Sequence, residues 1–283
     1  MPLITLQELQ RMSPLLRGRV GRAVGRCAMK LLSVDRLNAF YDSHSHLSGS
    51  DFAHSVLRDL GVQYHVFAHR PEVLPQLIEL GKGTPFITIS NHPYGSIDGV
   101  VLADYFGHLC PNYKIMANGM LKRVEPLAAS LIPVTPVGSK RRSPTAESVL
   151  GMRRALMQLR MGGALGLFPA GAVSDLSLRG WDVRDREWQL PIIRFIARAE
   201  VPILPVRFFD GNSMLYYLLG LVDWRIRLLR LPAEVFNKAH CPVRLGIAPL
   251  ISVEEQKQYL ATHSLEEFGL WLRSKVYGMS IDK

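Results

Sequence analysis

Residues 85–99 read PFITISNHPYGSIDG. The first six are mostly apolar and β-branched, which predicts a buried strand over 85–90. Pro93 and Gly95 then force a tight turn. Asp98 opens an apolar segment predicted as helix over 97–109. A strand that feeds a helix through a short turn belongs to a βαβ unit, and such sheets bind ligands at the carboxyl ends of their strands. His92 sits at that place, with Asp98 six residues on. The turn can fold the carboxylate back onto the imidazole. It would then fix the ring tautomer, raise its basicity and leave the other nitrogen to take a proton. The bland alternative is a turn histidine beside a helix-capping aspartate.

The alternation continues on both sides. Strands are predicted over 62–68, 113–117, 131–134, 164–168, 202–208 and 243–248. Helices are predicted over 52–60, 119–129, 145–161, 185–199 and 264–277, with Ser143 capping the third of these and Pro144 at its first position. This pattern implies an α/β fold, a mostly parallel sheet covered by helices. The stretch 42–51, DSHSHLSGSD, reads as a polar linker. The expected organisation is an N-terminal helical, membrane-associating segment with its linker over 1–60 and a catalytic α/β domain over 61–283.

Residues 14–34 form a basic amphipathic helix. Leu16, Val20, Ala23, Val24, Cys27, Ala28 and Leu31 recur at helical spacing, and Arg19, Arg22, Arg26 and Lys30 recur on another face. Such a helix suits an anionic membrane surface; packing on the core with a solvated basic face is the alternative. Gly18, Gly21 and Gly25 weaken it, by roughly 1 kcal/mol each.

The chain has 283 residues, 48% hydrophobic and 20% charged, enough for a sizeable core. A net charge of +10 favours an anionic partner. Cys27, Cys110 and Cys241 are too scattered for a disulfide framework or zinc knuckle, which fits a reducing compartment. No secretory signal or membrane-spanning run is evident; the nearest candidate, MLYYLLGLV over 214–222, stops at Asp223. Peripheral association with the cytoplasmic face of the inner membrane is the expected location. No P-loop, GxGxxG or zinc finger is present, and aromatics do not interleave with cations, so nucleic acid is not an expected partner.

Two further strand ends add to the first. Residues 165–174, LGLFPAGAVS, run from strand into small residues whose backbone N–H groups can polarise a carbonyl. Residues 201–208, VPILPVRF, carry Pro202 and Pro205, which mark a strand edge or bend. They lead into Asp210, Gly211, Asn212 and Ser213.

Taken in order, strand-His-x5-Asp, then Phe-Pro-x-Gly, then Pro-x-x-Pro-Val resembles the glycerolipid acyltransferase superfamily over residues ~70–250. Members carry Asn-His-x4-Asp, an Arg-bearing phosphate loop, Phe-Pro-Glu-Gly and Val-Pro-x-x-Pro-Val. This chain departs in three ways. Five residues separate His92 from Asp98, Ala170 stands where the family has Glu, and the strand SLIPVTP (130–136) has no Arg. The family's Arg and Glu help hold glycerol phosphate, so their loss points away from a phosphate-bearing acceptor. Lys140, Arg141 and Arg142 lie just downstream and are candidate substitutes. A subgroup with NHPxGxxDG, FPAGxxS, a D…W segment (here Asp185 to Trp188) and a GxNS turn (here Gly211-Asn212-Ser213, one residue shorter) shows the same departures. Its members are often labelled hemolysins, and several are similar to O-acyltransferases that complete ornithine or glycine lipids.

The resemblance implies His92 as general base, Asp98 as its orienting partner, and a substrate site built from Asn91, Gly95, Phe168, Pro169, Ala170, Gly171, Ser174 and Asn212, with Lys140, Arg141 and Arg142 alongside. It implies acyl transfer from an acyl carrier protein or coenzyme A thioester to a lysolipid hydroxyl, most simply that of a lyso-aminolipid, with no cofactor and no metal. The alternatives are 1-acyl-glycerol-3-phosphate acylation and a non-enzymatic, membrane-active protein. Asp42-Ser43-His44-Ser45-His46 also matches a DxHxH metal pattern, but the preceding RLNAFY is not strand-like, so an exposed linker is the simpler reading.

Overall fold

The computed structural model describes residues 7, 18–135, 145–178, 180–239 and 241–281. Among the described residues three helices come first: α1 (Gly18–Leu31), α2 (Val34–His44) and α3 (Gly49–Leu60). Then follow β1 (Tyr64–Ala68), α4 (Val73–Gly81), β2 (Ile87–Ser90), α5 (Ile97–Leu109), β3 (Tyr113–Asn118), β4 (Leu131–Val134), α6 (Ala146–Arg160) and β5 (Ala164–Leu167). A small hairpin of β6 (Asp175–Ser177) and β7 (Asp182–Arg184) precedes α7 (Leu190–Ala199) and β8 (Ile203–Phe208). The chain closes with α8 (Met214–Val222), α9 (Trp224–Phe236), β9 (Val243–Ile247), α10 (Val253–Leu260) and α11 (Leu265–Tyr277).

The main sheet has seven strands in the order β1-β9-β8-β2-β5-β3-β4. Every neighbouring pair is parallel except β8 and β9. The fold is therefore the α/β, mostly parallel sheet expected. Both faces are covered, as apolar strands such as ITIS and ALGL require. Alternation divides the core in two. Ile87, Ile89, Leu165 and Ile203 pack with Ile193, Phe268 and Leu272 under α7 and α11. Phe86, Leu204, Val206 and Phe208 pack on the other face with Val101, Leu102 and Phe106 of α5 and Phe52 and Leu57 of α3.

Pro205 lies in the interior of the sheet, not at its edge. Between the bridge Ile203–Ile251 and the pair Val206–Ile247, two residues of β8 face three residues beyond β9. That count is a β-bulge, a place where a strand proline is tolerated. Pro205 still accepts from the Ala248 N–H at 3.0 Å.

Several local expectations are corrected. The linker over 42–51 is mostly helical: α2 runs to His44 and α3 starts at Gly49. Helix α3 ends at Leu60 and buries Phe52, Ala53, Val56, Leu57 and Leu60 in the core. Residues 119–129 form two 3-10 turns instead of one helix, because Pro126 interrupts the segment. The 185–199 helix begins only at Leu190, since Asp185 is held elsewhere. Thr145, with its hydroxyl accepting from the Ser148 N–H at 3.2 Å, caps α6. The cap expected at Ser143, with Pro144, lies outside the described residues, as do Lys140, Arg141 and Arg142. In α1, Ala23 and Cys27, expected on the apolar face, are exposed along with Arg22, Arg26 and Lys30, and the buried positions are Gly21, Gly25 and Met29.

Candidate active site

Strands β8, β2 and β5 are parallel neighbours, so their carboxyl ends open onto one edge of the sheet. The three loops singled out in the sequence leave from that edge. His92 Nδ1 lies 2.7 Å from Asp98 Oδ2. The Nδ1 atom is buried and its N–H direction is off-line from the carboxylate, so the pair is in contact without a straight hydrogen bond. The His92 side chain is 18% exposed; with Nδ1 buried, the accessible part of the ring is the side that carries Nε2.

Asp98 is fully buried and its carboxylate is held by backbone. Its Oδ2 accepts from the N–H groups of Tyr94 and Gly95 at 3.0 and 3.1 Å, and its Oδ1 from Gly99 at 2.9 Å. Gly95 makes this possible with φ +75, and a Cβ there would meet Val173 Cγ2 at 2.6 Å. The fifth intervening residue is accommodated by this left-handed step, so the longer spacing does not separate the pair.

Burial opposes charge on His92, but the charge and hydrogen-bonding capacity of Asp98 and the more distant charge of Asp185 outweigh it, and the ring's pKa is raised. Phe168 lies against the imidazole, with centroids 4.0 Å apart and planes tilted by 30°.

The remaining expected residues are placed as follows. Asn91 is a latch: its Nδ2 donates to Phe208 O and its Oδ1 accepts from Phe208 N–H, both at 2.8 Å. It joins the ends of β2 and β8. Pro169 and Ala170 present carbonyls to the Gln189 N–H (2.9 Å) and Nε2 (3.0 Å). Gly171 closes the turn at φ +64, with its N–H on Phe168 O at 2.9 Å. Ser174 donates its hydroxyl to Asp185 Oδ1 at 2.6 Å and its N–H to His92 O at 2.9 Å. Asn212 Nδ2 donates to Tyr94 O at 2.8 Å. Of these, Ser174 and Asn212 hold the loop that carries His92, by bonds to its backbone carbonyls.

Residues outside the expected site complete the frame. Asp185 Oδ1 accepts from the His92 N–H at 3.1 Å, and its Oδ2 accepts from Trp188 Nε1 at 3.3 Å. Burial raises its pKa, and the Ser174 and His92 contacts only partly offset this. Tyr217 of α8 donates to Pro93 O at 2.8 Å and accepts from the Asn212 N–H at 3.1 Å. Glu234 of α9, buried, accepts from Ser213 Oγ at 2.6 Å and from Ser213 N–H at 2.9 Å. Arg227 donates to Val173 O and Ser174 O, both at 3.2 Å, and pairs with Asp175 at 2.6 Å. Asp185 was visible in the sequence as part of the D…W segment. Tyr217, Arg227 and Glu234 had no local signal.

The DxHxH stretch is used differently. His44 bonds Asp59 Oδ2 at 2.9 Å through Nε2 and Phe40 O at 2.7 Å through Nδ1, tying α2 to α3, and His46 is exposed. Among the described residues no group of three or more potential ligands is arranged to hold a metal ion.

A family profile described as Acyltransferase matches residues 11–282. The chain belongs to this acyltransferase family. Among characterised relatives, a lyso-glycine lipid O-acyltransferase of Phocaeicola vulgatus is 26% identical over 226 residues, covering 77% of this chain and 74% of that protein. A lyso-glycine lipid O-acyltransferase of Bacteroides thetaiotaomicron is 25% identical over 218 residues, covering 75% and 74%. The enzyme is thus an acyltransferase whose histidine–aspartate turn sits at the carboxyl edge of its sheet. Among the described residues, no helix is long and apolar enough to cross a membrane.

Proposed function

We propose that this acyltransferase moves a fatty acyl group from a thioester to the free hydroxyl of a lyso-aminolipid such as a lyso-glycine lipid. His92 Nε2 takes the hydroxyl proton while Asp98 steadies the imidazolium. The acceptor oxygen attacks the thioester carbonyl, the C–S bond breaks, and the proton passes from His92 to the departing thiolate. An ester and a free thiol result, with no enzyme-bound acyl group and no cofactor. The donor is an acyl carrier protein or coenzyme A thioester; the +10 net charge suits either anionic carrier.

The observation that carries this reading is the 2.7 Å His92–Asp98 pair, seated where three loops of the sheet converge. The acceptor class is supported by the two lyso-glycine lipid relatives and by the sequence, which has Ala170 in place of the superfamily's Glu and no Arg over 130–136. Ala170 brings no charge, and Arg227 beside the same loop is engaged by Val173, Ser174 and Asp175.

Purified protein should acylate a lyso-glycine or lyso-ornithine lipid faster than 1-acyl-glycerol 3-phosphate, from the same acyl thioester. Preference for the phosphate acceptor would overturn the acceptor assignment and direct attention to Lys140, Arg141 and Arg142.

A further inference from the structure

Helix α8, MLYYLLGLV, has no charged residue. Met214, Leu215, Leu218, Leu221 and Val222 are all exposed, Val222 to 76%. At 100° per residue these five fall within about a third of the helix circumference. The opposite side holds the buried Tyr216 and Tyr217, packed with Leu176 of β6 and with Leu231 of α9. The apolar face continues onto α9 through exposed Leu228 and Leu229. The β6–β7 hairpin, which packs beneath α8, ends in exposed Leu178 and Trp181, the latter 68% exposed.

A cluster of this kind is large for a surface without a partner. The chain as a whole carries a net charge of +10, and Arg22, Arg26 and Lys30 of α1 are exposed. An apolar face with an exposed tryptophan on a cationic protein matches the interface of an anionic bilayer.

We infer that the α8–α9 hairpin, with the tip of the β6–β7 hairpin, is the surface by which the enzyme sits on an anionic membrane. The inference rests on the proposed lysolipid acceptor for its purpose, and the geometry links the two. Tyr217, on the inner side of α8, donates to Pro93 O, one residue from His92. Ser213 at the start of α8 is clamped by Glu234 of α9. The lipid-facing helix and the turn carrying the base therefore form one bonded unit, and an acceptor whose tail stays in the bilayer meets the site at its rim. The basic face of α1 would add electrostatic attraction without apolar insertion.

The test is sedimentation with vesicles of phosphatidylcholine alone and of phosphatidylcholine with phosphatidylglycerol. Wild-type protein should bind the anionic vesicles preferentially. The triple variant Leu215→Glu, Leu218→Glu, Val222→Glu alters only exposed positions; it should bind them at least about tenfold more weakly. It should keep its turnover on acceptor dispersed in detergent and its urea midpoint. Trp181→Ala gives a milder second variant with the same direction. Undiminished binding by both would overturn the inference. A wild-type dimer that the triple variant dissolves, with no vesicle binding by either, would also overturn it and assign the face to self-association. Face-dependent vesicle binding by a protein that acylates no lysolipid would instead reject the reaction and leave the docking surface standing.

Discussion

His92 Nδ1 and Asp98 Oδ2 are 2.7 Å apart, although five residues lie between them along the chain. The contact exists because Tyr94, Gly95 and Gly99 turn their N–H groups onto the Asp98 carboxylate and wind the loop around it. A buried carboxylate bonded this way is a fixed partner for the imidazole.

Replacing His92 by Ala removes the only base the mechanism uses. Turnover should fall on the order of 10²–10⁴-fold with folding intact, because the side chain is a partner in no straight hydrogen bond. Steady-state kinetics beside a thermal melt checks this, and near-normal turnover would refute the base assignment.

The pH profile carries a sign. The base must be neutral to act, and its pKa is raised above the ordinary 6.5. The acidic limb of kcat/KM should therefore lie above that value, with activity lost as pH falls through it. Asp98→Asn removes the largest raising influence, leaving burial to lower the pKa. Its residual activity should show the limb at lower pH. A limb that stays in place would mean another group titrates.

Gly95→Ala should cost about 1–3 kcal/mol of stability, from the left-handed backbone. The clash with Val173 adds to this. Urea unfolding measures the loss, and kcat should fall with it because the same turn holds His92.

Asp185→Ala leaves three donors facing a void: the His92 N–H, the Ser174 hydroxyl and the Trp188 indole. A destabilisation on the order of 3 kcal/mol is expected, since buried donors lose their acceptor. Asp185→Asn keeps one acceptor oxygen and should lose less. Equal urea midpoints for the two variants would show that this carboxylate is not what holds the loop.

Helix α1 shows how a local pattern can misplace a face. The apolar spacing put Ala23 and Cys27 on the buried side, yet both are exposed, while Gly21, Gly25 and Met29 are buried.

The sequence by itself determined the α/β class, the strands that flank the site and the His92–Asp98 turn. Each depends on periodicity, proline and glycine within about twenty residues, the range over which local chemistry acts. Tertiary structure alone decided that Asp185, 93 positions from His92, supports its backbone. It also decided that Pro205 lies inside the sheet at a bulge, and that Tyr217 and Glu234 fasten an apolar helix beside the base. Those contacts arise because the parallel strands β8, β2 and β5 bring their carboxyl ends together. No local signal encodes which distant loops will meet there, since the meeting is a property of strand order and packing rather than of any one segment.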